Sequence, residues 1–217
     1  MMDIEAVDGL RVLRLGDGLN AFDDSFVKEL DGALAGIEAD PDATTLVTVA
    51  SGKHFSNGFD LEFLGGLEIP DLMAFMDRTS AALARILVFP IPTVAAINGH
   101  AFGIGALLAL AHDQRVQNSE RGWFCLPEVD LGMRFNPFQL ALVVGKLSRP
   151  TAQAAVLSGR RYDGAASLAA GIVDAVSGPD DLVTTATELA APRLGKQRAI
   201  VSTLKGDLYA AILATLE

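Results

Sequence analysis

The chain contains one cysteine, Cys125, which excludes an internal disulfide and any metal site built on thiolates. Basic residues are scarce beside acidic ones, with 17 Lys and Arg against 27 Asp and Glu, a formal net charge of −10. The cations are scattered mostly singly, so there is no basic stripe of the kind a phosphate backbone or an anionic membrane surface needs. Neither nucleic acid nor membrane is expected as a partner. Histidine is as thin. His54, His100 and His112 are spread along the chain without paired ligand spacing, and no metal site is expected from them. The N-terminus lacks the basic-then-apolar run of a secretory signal, which gives a cytoplasmic location as the expectation. The stretch from Ile86 to Ala111 contains no Asp, Glu, Lys or Arg. Pro90, Pro92, Asn98, Gly99 and His100 cut it into pieces too short to cross ~30 Å of hydrocarbon as one helix, so it reads as buried core.

What is present is apolar: half of the 217 residues, enough for one domain, or one domain with a C-terminal appendage, to bury a sizeable core. Arg11 to Leu15 reads as a short strand, and Ala21 to Ala39 as a helix with Phe22, Phe26, Leu30, Leu34 and Ile37 at helical spacing. Asp23 or Asp24 can cap that helix and Asp40-Pro41 ends it. Thr44 to Ala50 is β-branched and uncharged, which suits a strand covered on both faces. Ser51 to Asp60 follows as a polar loop, and Asp71 to Val88 as a second amphipathic helix. Thr93 to Ile97 is another buried strand, Asn98-Gly99-His100 a turn, and Gly103 to His112 a helix apolar on nearly every side, which belongs in the middle of a fold. Arg115 to Gln117 and Gly122 to Cys125 are weak strand signals, and Leu126 to Gly132 reads as a loop. Beyond Pro137 the pattern is helical: Pro137 to Leu147, Thr151 to Ser158, Gly164 to Ala170, Asp180 to Ala191 and Gln197 to Leu216. Strands alternating with helices, then helices alone, indicate an α/β core with a helical C-terminal part.

Two places share one design, a buried strand running into a glycine-bearing loop that soon starts a helix: TTLVTVA into HFSNGFDL, and TVAAI into NGHAFGIGALL. The first turn of a helix has N–H groups without internal partners and sits at the positive end of the dipole, so it attracts negative oxygen. Two such ends converging would form an oxyanion hole made of backbone. Gly58, Gly103 and Gly105 would let a ligand come close to the main chain. Other chemistries fit less well. Gly103-Ile104-Gly105 lacks the third glycine of a dinucleotide fingerprint, since Leu108 stands there. Ser56 is outside any G-x-S-x-G elbow, and Cys125 beside Phe124 suits packing.

These segments resemble a known family. PTVAAINGHAFGIGALLALAHD, Pro92 to Asp113, resembles the central motif of the crotonase, or enoyl-CoA hydratase/isomerase, superfamily. GKHFSNGFDL, Gly52 to Leu61, resembles its other oxyanion loop. CLPEVDLG, Cys125 to Gly132, is similar to the segment that carries a catalytic glutamate, and Leu157 to Val176 is similar to a later stretch. The wording FSNGFDL, LLALAHD and EVDLG is most similar to the Δ3,Δ2-enoyl-CoA isomerases. The resemblance implies an α/β crotonase-like (ClpP/crotonase) fold of stacked ββα units over residues 1–176. Residues 177–217 would then be a C-terminal helical segment packing on the core or on a neighbouring subunit, in a homotrimer or hexamer. It implies an acyl-CoA substrate, with no metal and no redox cofactor, coenzyme A entering as part of the substrate.

Carried over residue by residue, the resemblance puts the oxyanion amides on Phe59 and Ile104 and a catalytic carboxylate on Glu128. A second glutamate, present in hydratases, would fall at Leu107. Hydration asks for acid and base groups on water and carbon, whereas moving a double bond asks one carboxylate to take a proton and return it two carbons away. As a base near neutral pH, Glu128 needs a pKa raised by apolar surroundings, for which Leu107, Leu126, Phe135 and Phe138 are the expected sources. Ser56, Asn57 and Asp60 would lie at the ligand, with Gly103 and Leu107 beside it and Lys53 at a phosphate. Lys196, Arg198 and Lys205 are further phosphate candidates. Asp60 and Asp130 are expected to cap neighbouring amides, and Glu62 either approaches the acyl chain or is solvated. A hydratase using Glu128 alone, a thioester hydrolase and a non-catalytic acyl-CoA binder remain alternatives.

Overall fold

The computed structural model describes residues 2–216, so Met1 and Glu217, the outer ends of the two expected segments, lie outside it. One unit recurs along the chain: a strand, a tight turn, a second strand and a helix. It begins with β1 (Asp3–Val7), β2 (Leu10–Arg14) and α1 (Asp24–Ala39). Next come β3 (Thr45–Val49) and β4 (His54–Ser56) with α2 (Leu61–Gly65) and α3 (Ile69–Leu87). After them come β5 (Thr93–Ile97), β6 (His100–Phe102) and α4 (Ile104–Ala111), then β7 (Gln114–Asn118), β8 (Phe124–Cys125) and α5 (Glu128–Leu131). The longer strands join β9 (Ala175–Ser177) in a six-stranded sheet of order β1-β2-β3-β5-β7-β9, parallel except for the β1–β2 hairpin. The short ones form a separate parallel sheet, β4-β6-β8.

Thr45–Val49, Thr93–Ile97 and Gln114–Asn118 are buried at every position because the large sheet is covered on both faces. On one side Leu13, Leu46, Ala95 and Ile97 pack into the main core with α1, α3 and α4. On the other, Val12, Val47, Val49, Val94, Ala96 and Val116 meet Leu182, Ala186 and Ala190 of α9 (Leu182–Ala190). The first helix of the C-terminal segment therefore packs on the core of its own chain. Helix α4, apolar all round, is buried at every residue.

The remaining helices are α6 (Pro137–Lys146), α7 (Arg149–Ser158), α8 (Gly164–Ala169), α10 (Arg198–Leu208) and α11 (Ala210–Leu213). The C-terminal pair is tied to the core by polar contacts: Lys205 pairs with Asp113 at 2.7 Å, and Lys146 donates to the His112 carbonyl and to the Tyr209 hydroxyl. No single helix among the described residues is long and apolar enough to cross a membrane.

Two expected loops prove to be partly regular. Ser51 to Asp60 contains β4, and Leu126 to Gly132 contains α5. Strands β1, β6 and β9 leave no pattern in the sequence, since three-residue strands are too short to show alternation and β1 is exposed at every position.

Candidate active site

The two sheets bring three distant loops together. Strand β6 lies between β4 and β8, so the chain leaving each of them emerges side by side. Gly103 N–H donates to the Cys125 carbonyl at 3.0 Å, which draws the segment after β8 toward the start of α4. A Cβ placed on Gly58 would stand 3.0 Å from the Phe102 carbonyl oxygen, which measures how closely the loop after β4 approaches the same point. The loops border a cavity of about 730 Å³. Its walls are Leu19 and Ala21, the run Asn57 to Glu62, Met76, Phe102 to Ile104, Pro127, Glu128, Leu131, and Met133 to Asn136 with Gln139.

Phe59 and Ile104 both line this cavity. Phe22 N–H donates to the Gly58 carbonyl at 2.8 Å and Asp60 N–H donates to the Phe22 carbonyl at 3.1 Å, a parallel bridge that straddles Phe59. The Phe59 N–H is thus left over by the pairing on either side of it. Ile104 is the first residue of α4, where an N–H has no partner within the helix. Its N-cap, Gly103, has φ +52°, a left-handed conformation that a side chain strains to adopt. A Cβ there would also come within 3.2 Å of Glu128 Oε1, so the glutamate carboxylate reaches the start of α4.

Glu128 opens α5, with Pro127 as N-cap. Its Oε2 is buried and has no hydrogen-bond partner among the described residues. Burial in these surroundings pushes its pKa up to about 7, against an ordinary value of 4.5. Of the expected apolar sources, Phe135 lines the cavity, while Leu107, Leu126 and Phe138 lie in the main core. The aromatic wall continues behind Phe59, whose ring meets Phe75 edge-on at 6.0 Å, with Phe63 at 5.1 Å from Phe75.

Of the residues proposed from sequence, Glu128, Phe59, Ile104, Gly103, Asn57 and Asp60 share the cavity. The Asp60 carboxylate accepts from Phe63 N–H at 3.0 Å, capping α2 as expected. Three others stand elsewhere. Ser56 is wholly buried, donating to the Asn20 carbonyl and accepting from Gly58 N–H, and its atoms fill the space where a Cβ on Gly105 would sit at 2.6 Å. The closeness at Gly105 therefore serves packing of α4 on β4. Leu107 is 1% exposed in the main core, and Lys53 is exposed outside the cavity. Arg198 donates to the carbonyls of Glu38, Asp40 and Ala43, and Lys205 is committed to Asp113, so both are engaged within the chain. Among the described residues the Asp130 carboxylate caps no amide; it abuts Gly159. Glu62 lines the cavity from the exposed side of α2. Met133, Arg134, Asn136 and Gln139 were not anticipated. Asn136 and Gln139 form a capping box at the start of α6, a signal visible in N-P-F-Q, but nothing in the sequence aims them at a cavity.

Two sheets wound from repeated ββα units, with a cavity where the loops after β4 and β6 meet, define the crotonase-like fold. The structure of human mitochondrial delta3-delta2-enoyl-CoA isomerase shares it, with a TM-score of 0.91 at 23% identity, covering 99% of this chain and 85% of that one. The family model described as enoyl-CoA hydratase/isomerase matches residues 6–217, and the chain belongs to that family. Among relatives, enoyl-CoA delta isomerase 3 of Arabidopsis thaliana is 36% identical over 177 residues, which are 80% of this chain and 73% of that protein. The structure of the probable enoyl-CoA hydratase ECHA3 from Mycobacterium tuberculosis H37Rv matches with a TM-score of 0.90 at 28% identity, over 99% of this chain and 91% of that one.

Proposed function

We propose that the protein is a Δ3,Δ2-enoyl-CoA isomerase. The observation that carries this reading is the Glu128 carboxylate, buried with one oxygen unpartnered and the other at the start of α4, while a leucine sunk in the core occupies position 107. Glu128 as carboxylate takes a proton from the carbon between the thioester carbonyl and the double bond of a 3-enoyl thioester. The electron pair moves through the carbonyl to make a dienolate, whose oxygen accepts hydrogen bonds from the Phe59 and Ile104 N–H groups. Glu128 then returns the proton two carbons further on, leaving the double bond next to the carbonyl. The loss of one such donor typically costs ~3–4 kcal/mol of barrier, so the two amides carry a large share of the rate. The isomerase relatives support the same reading. Subunit association belongs to it as well: Ile200, Leu204 and Leu208 of α10, spaced four apart, are all more than half exposed and suit a neighbouring subunit.

The test offers 3-enoyl-CoA and 2-enoyl-CoA separately to the wild type and to Glu128→Gln. The wild type should shift the double bond of the first and add little water to the second, and the variant should do neither. Because the base works ionised, kcat/KM for isomerisation should rise with pH through about 7 and level off above it. Water addition at a rate comparable to isomerisation would make the protein a hydratase, release of free thiol a hydrolase, and ligand binding without turnover a carrier.

A further inference from the structure

Among the polar residues that line the cavity, Gln139 is the one that is fully buried, at 5% exposed. Its amide has a fixed orientation. Gln139 Oε1 accepts from the Asn136 N–H at 3.0 Å, and the Gln139 N–H donates to Asn136 Oδ1 at 2.8 Å, the two halves of the capping box that starts α6. An NH2 group cannot accept, so the oxygen is the end inside the box and Nε2 the end outside it. Asn136 is itself held. Its Nδ2 donates to Ser80 Oγ at 3.1 Å, and Ser80 stands one turn beyond the cavity-lining Met76 on α3. The Gln139 donor is therefore built into the corner where α6 meets α3, with little freedom to turn away.

Nε2 has no hydrogen-bond partner among the described residues, since the box takes up only the oxygen and the backbone N–H. Nor is it sealed in as Glu128 Oε2 is, so the surface it keeps opens on the cavity. Met76, Leu131, Met133 and Phe135 border the same space and offer it no acceptor side chain. A hydrocarbon chain drawn along this wall strips water from the amide and leaves the donor unpaired, at a cost. An oxygen on the chain restores the bond. Charge selects the form of that oxygen: Asp60, Glu62 and Glu128 line the cavity against Arg134 alone, so a further anion is opposed and an uncharged oxygen is not.

Resting on the isomerase reading, we infer that the acyl group this protein handles carries an uncharged oxygen, a hydroxyl or a ketone, beyond the reacting double bond, and that Gln139 Nε2 is the donor that selects it. Glu128 moves its proton between the second and fourth carbons, so the oxygen lies further from the thioester than these. A pocket that hydrogen-bonds a polar group of its substrate rejects the analogue lacking that group, because the donor is then left buried and unpaired. Plain hydrocarbon chains are thus the poorer substrates.

The test uses 3-enoyl-CoAs of six to ten carbons whose chain ends are plain or carry a hydroxyl, a keto or a carboxylate group. Each is offered at pH 8 to the wild type, Gln139→Met and Gln139→Glu. The readout is the ratio of kcat/KM for the oxygenated chain to that for the plain chain of equal length. Gln139→Glu keeps an oxygen to accept from the Asn136 N–H, so the capping box survives while the amide donor is lost, and it decides the matter should Gln139→Met fold poorly. At the best length the wild-type ratio for the hydroxyl or keto chain should be about tenfold, and both variants should bring it near one. A wild-type ratio of one or less at every length, a preference that survives in Gln139→Glu, or a carboxylate chain preferred over both uncharged forms overturns the inference while leaving the isomerase reading intact. If the wild type isomerises none of the thioesters, the isomerase reading fails, and Kd values for the matching saturated acyl-CoAs, measured by calorimetry, decide the contact alone. A Kd about tenfold tighter for the oxygenated chain, with the difference lost in the variants, upholds it; equal Kd values overturn it.

Discussion

Replacing Glu128 by glutamine should make the protein more stable at pH 8, although it removes the group on which the proposed chemistry turns. The reasoning starts from a carboxyl pushed up to about 7 by burial, against 4.5 for an ordinary glutamate. Below pH 4.5 the group is protonated whether the chain is folded or unfolded, and it adds no pH dependence. Between 4.5 and 7 the unfolded chain releases a proton that the folded chain keeps, so stability falls as pH rises through this window. Above pH 7 the folded protein holds a buried carboxylate whose Oε2 has no hydrogen-bond partner among the described residues. At about 1.4 kcal/mol per pKa unit, the total loss is about 3 kcal/mol. Glutamine has nearly the shape of the protonated acid and does not ionise, so the variant should lack this slope. The assay is urea unfolding of both proteins at intervals from pH 4.5 to 8.5, with the difference in unfolding free energy plotted against pH. Other carboxylates titrate in both proteins and cancel in that difference. The curve should be flat near pH 4.5 and climb to about 3 kcal/mol in favour of the variant by pH 8; a flat line throughout would refute the burial argument.

Two further outcomes are expected. His112 is fully buried, its Nδ1 2.8 Å from the Leu108 carbonyl oxygen and its Nε2 2.8 Å from Thr48 Oγ1, and burial pushes its pKa down to about 4. Its contribution is complete above pH 6.5 and is lost as pH falls toward 4, about 3 kcal/mol in all; a His112→Gln variant should show a shallower acid limb in its stability profile, and an equally steep one would contradict this. Gly105→Val should lower the melting temperature, by a stability loss of roughly 1–3 kcal/mol, because its Cβ would stand 2.6 Å from Ser56; an unshifted transition in calorimetry would show that α4 and β4 are less tightly packed.

Much of the architecture is legible in the residues because burial leaves a pattern. Leu46, Val47 and Val49 look two-sided in sequence and are, since one face meets the main core and the other meets α9. Helix α4, with no polar side at all, had to be central. The small sheet was not legible: a three-residue strand such as His54–Ser56 or His100–Phe102 carries no alternation to read. At the cavity, the family resemblance assigned Phe59, Ile104 and Glu128 to one site, and all three line it. It said less about direction. Ser56 stands three residues before Phe59 yet points into the packing under α4, and Leu107, one turn past Ile104, lies in the core. Distance along a chain fixes where a residue is; only the pleat or the helical turn decides which way its side chain faces.

The bridge between Phe22 and Phe59 has a practical consequence. If the anion is held by amide protons and not by side chains, alanine scanning across residues 59 and 104 will pass over the most important donors without a trace. They become visible only to chemistry that edits the main chain itself, such as an ester in place of one peptide link. The same circumstance would leave the half-buried Phe59 side chain open to exchange, so a lineage could reshape the cavity wall there while both donors persist, whereas Ile104 stays held by the packing around α4.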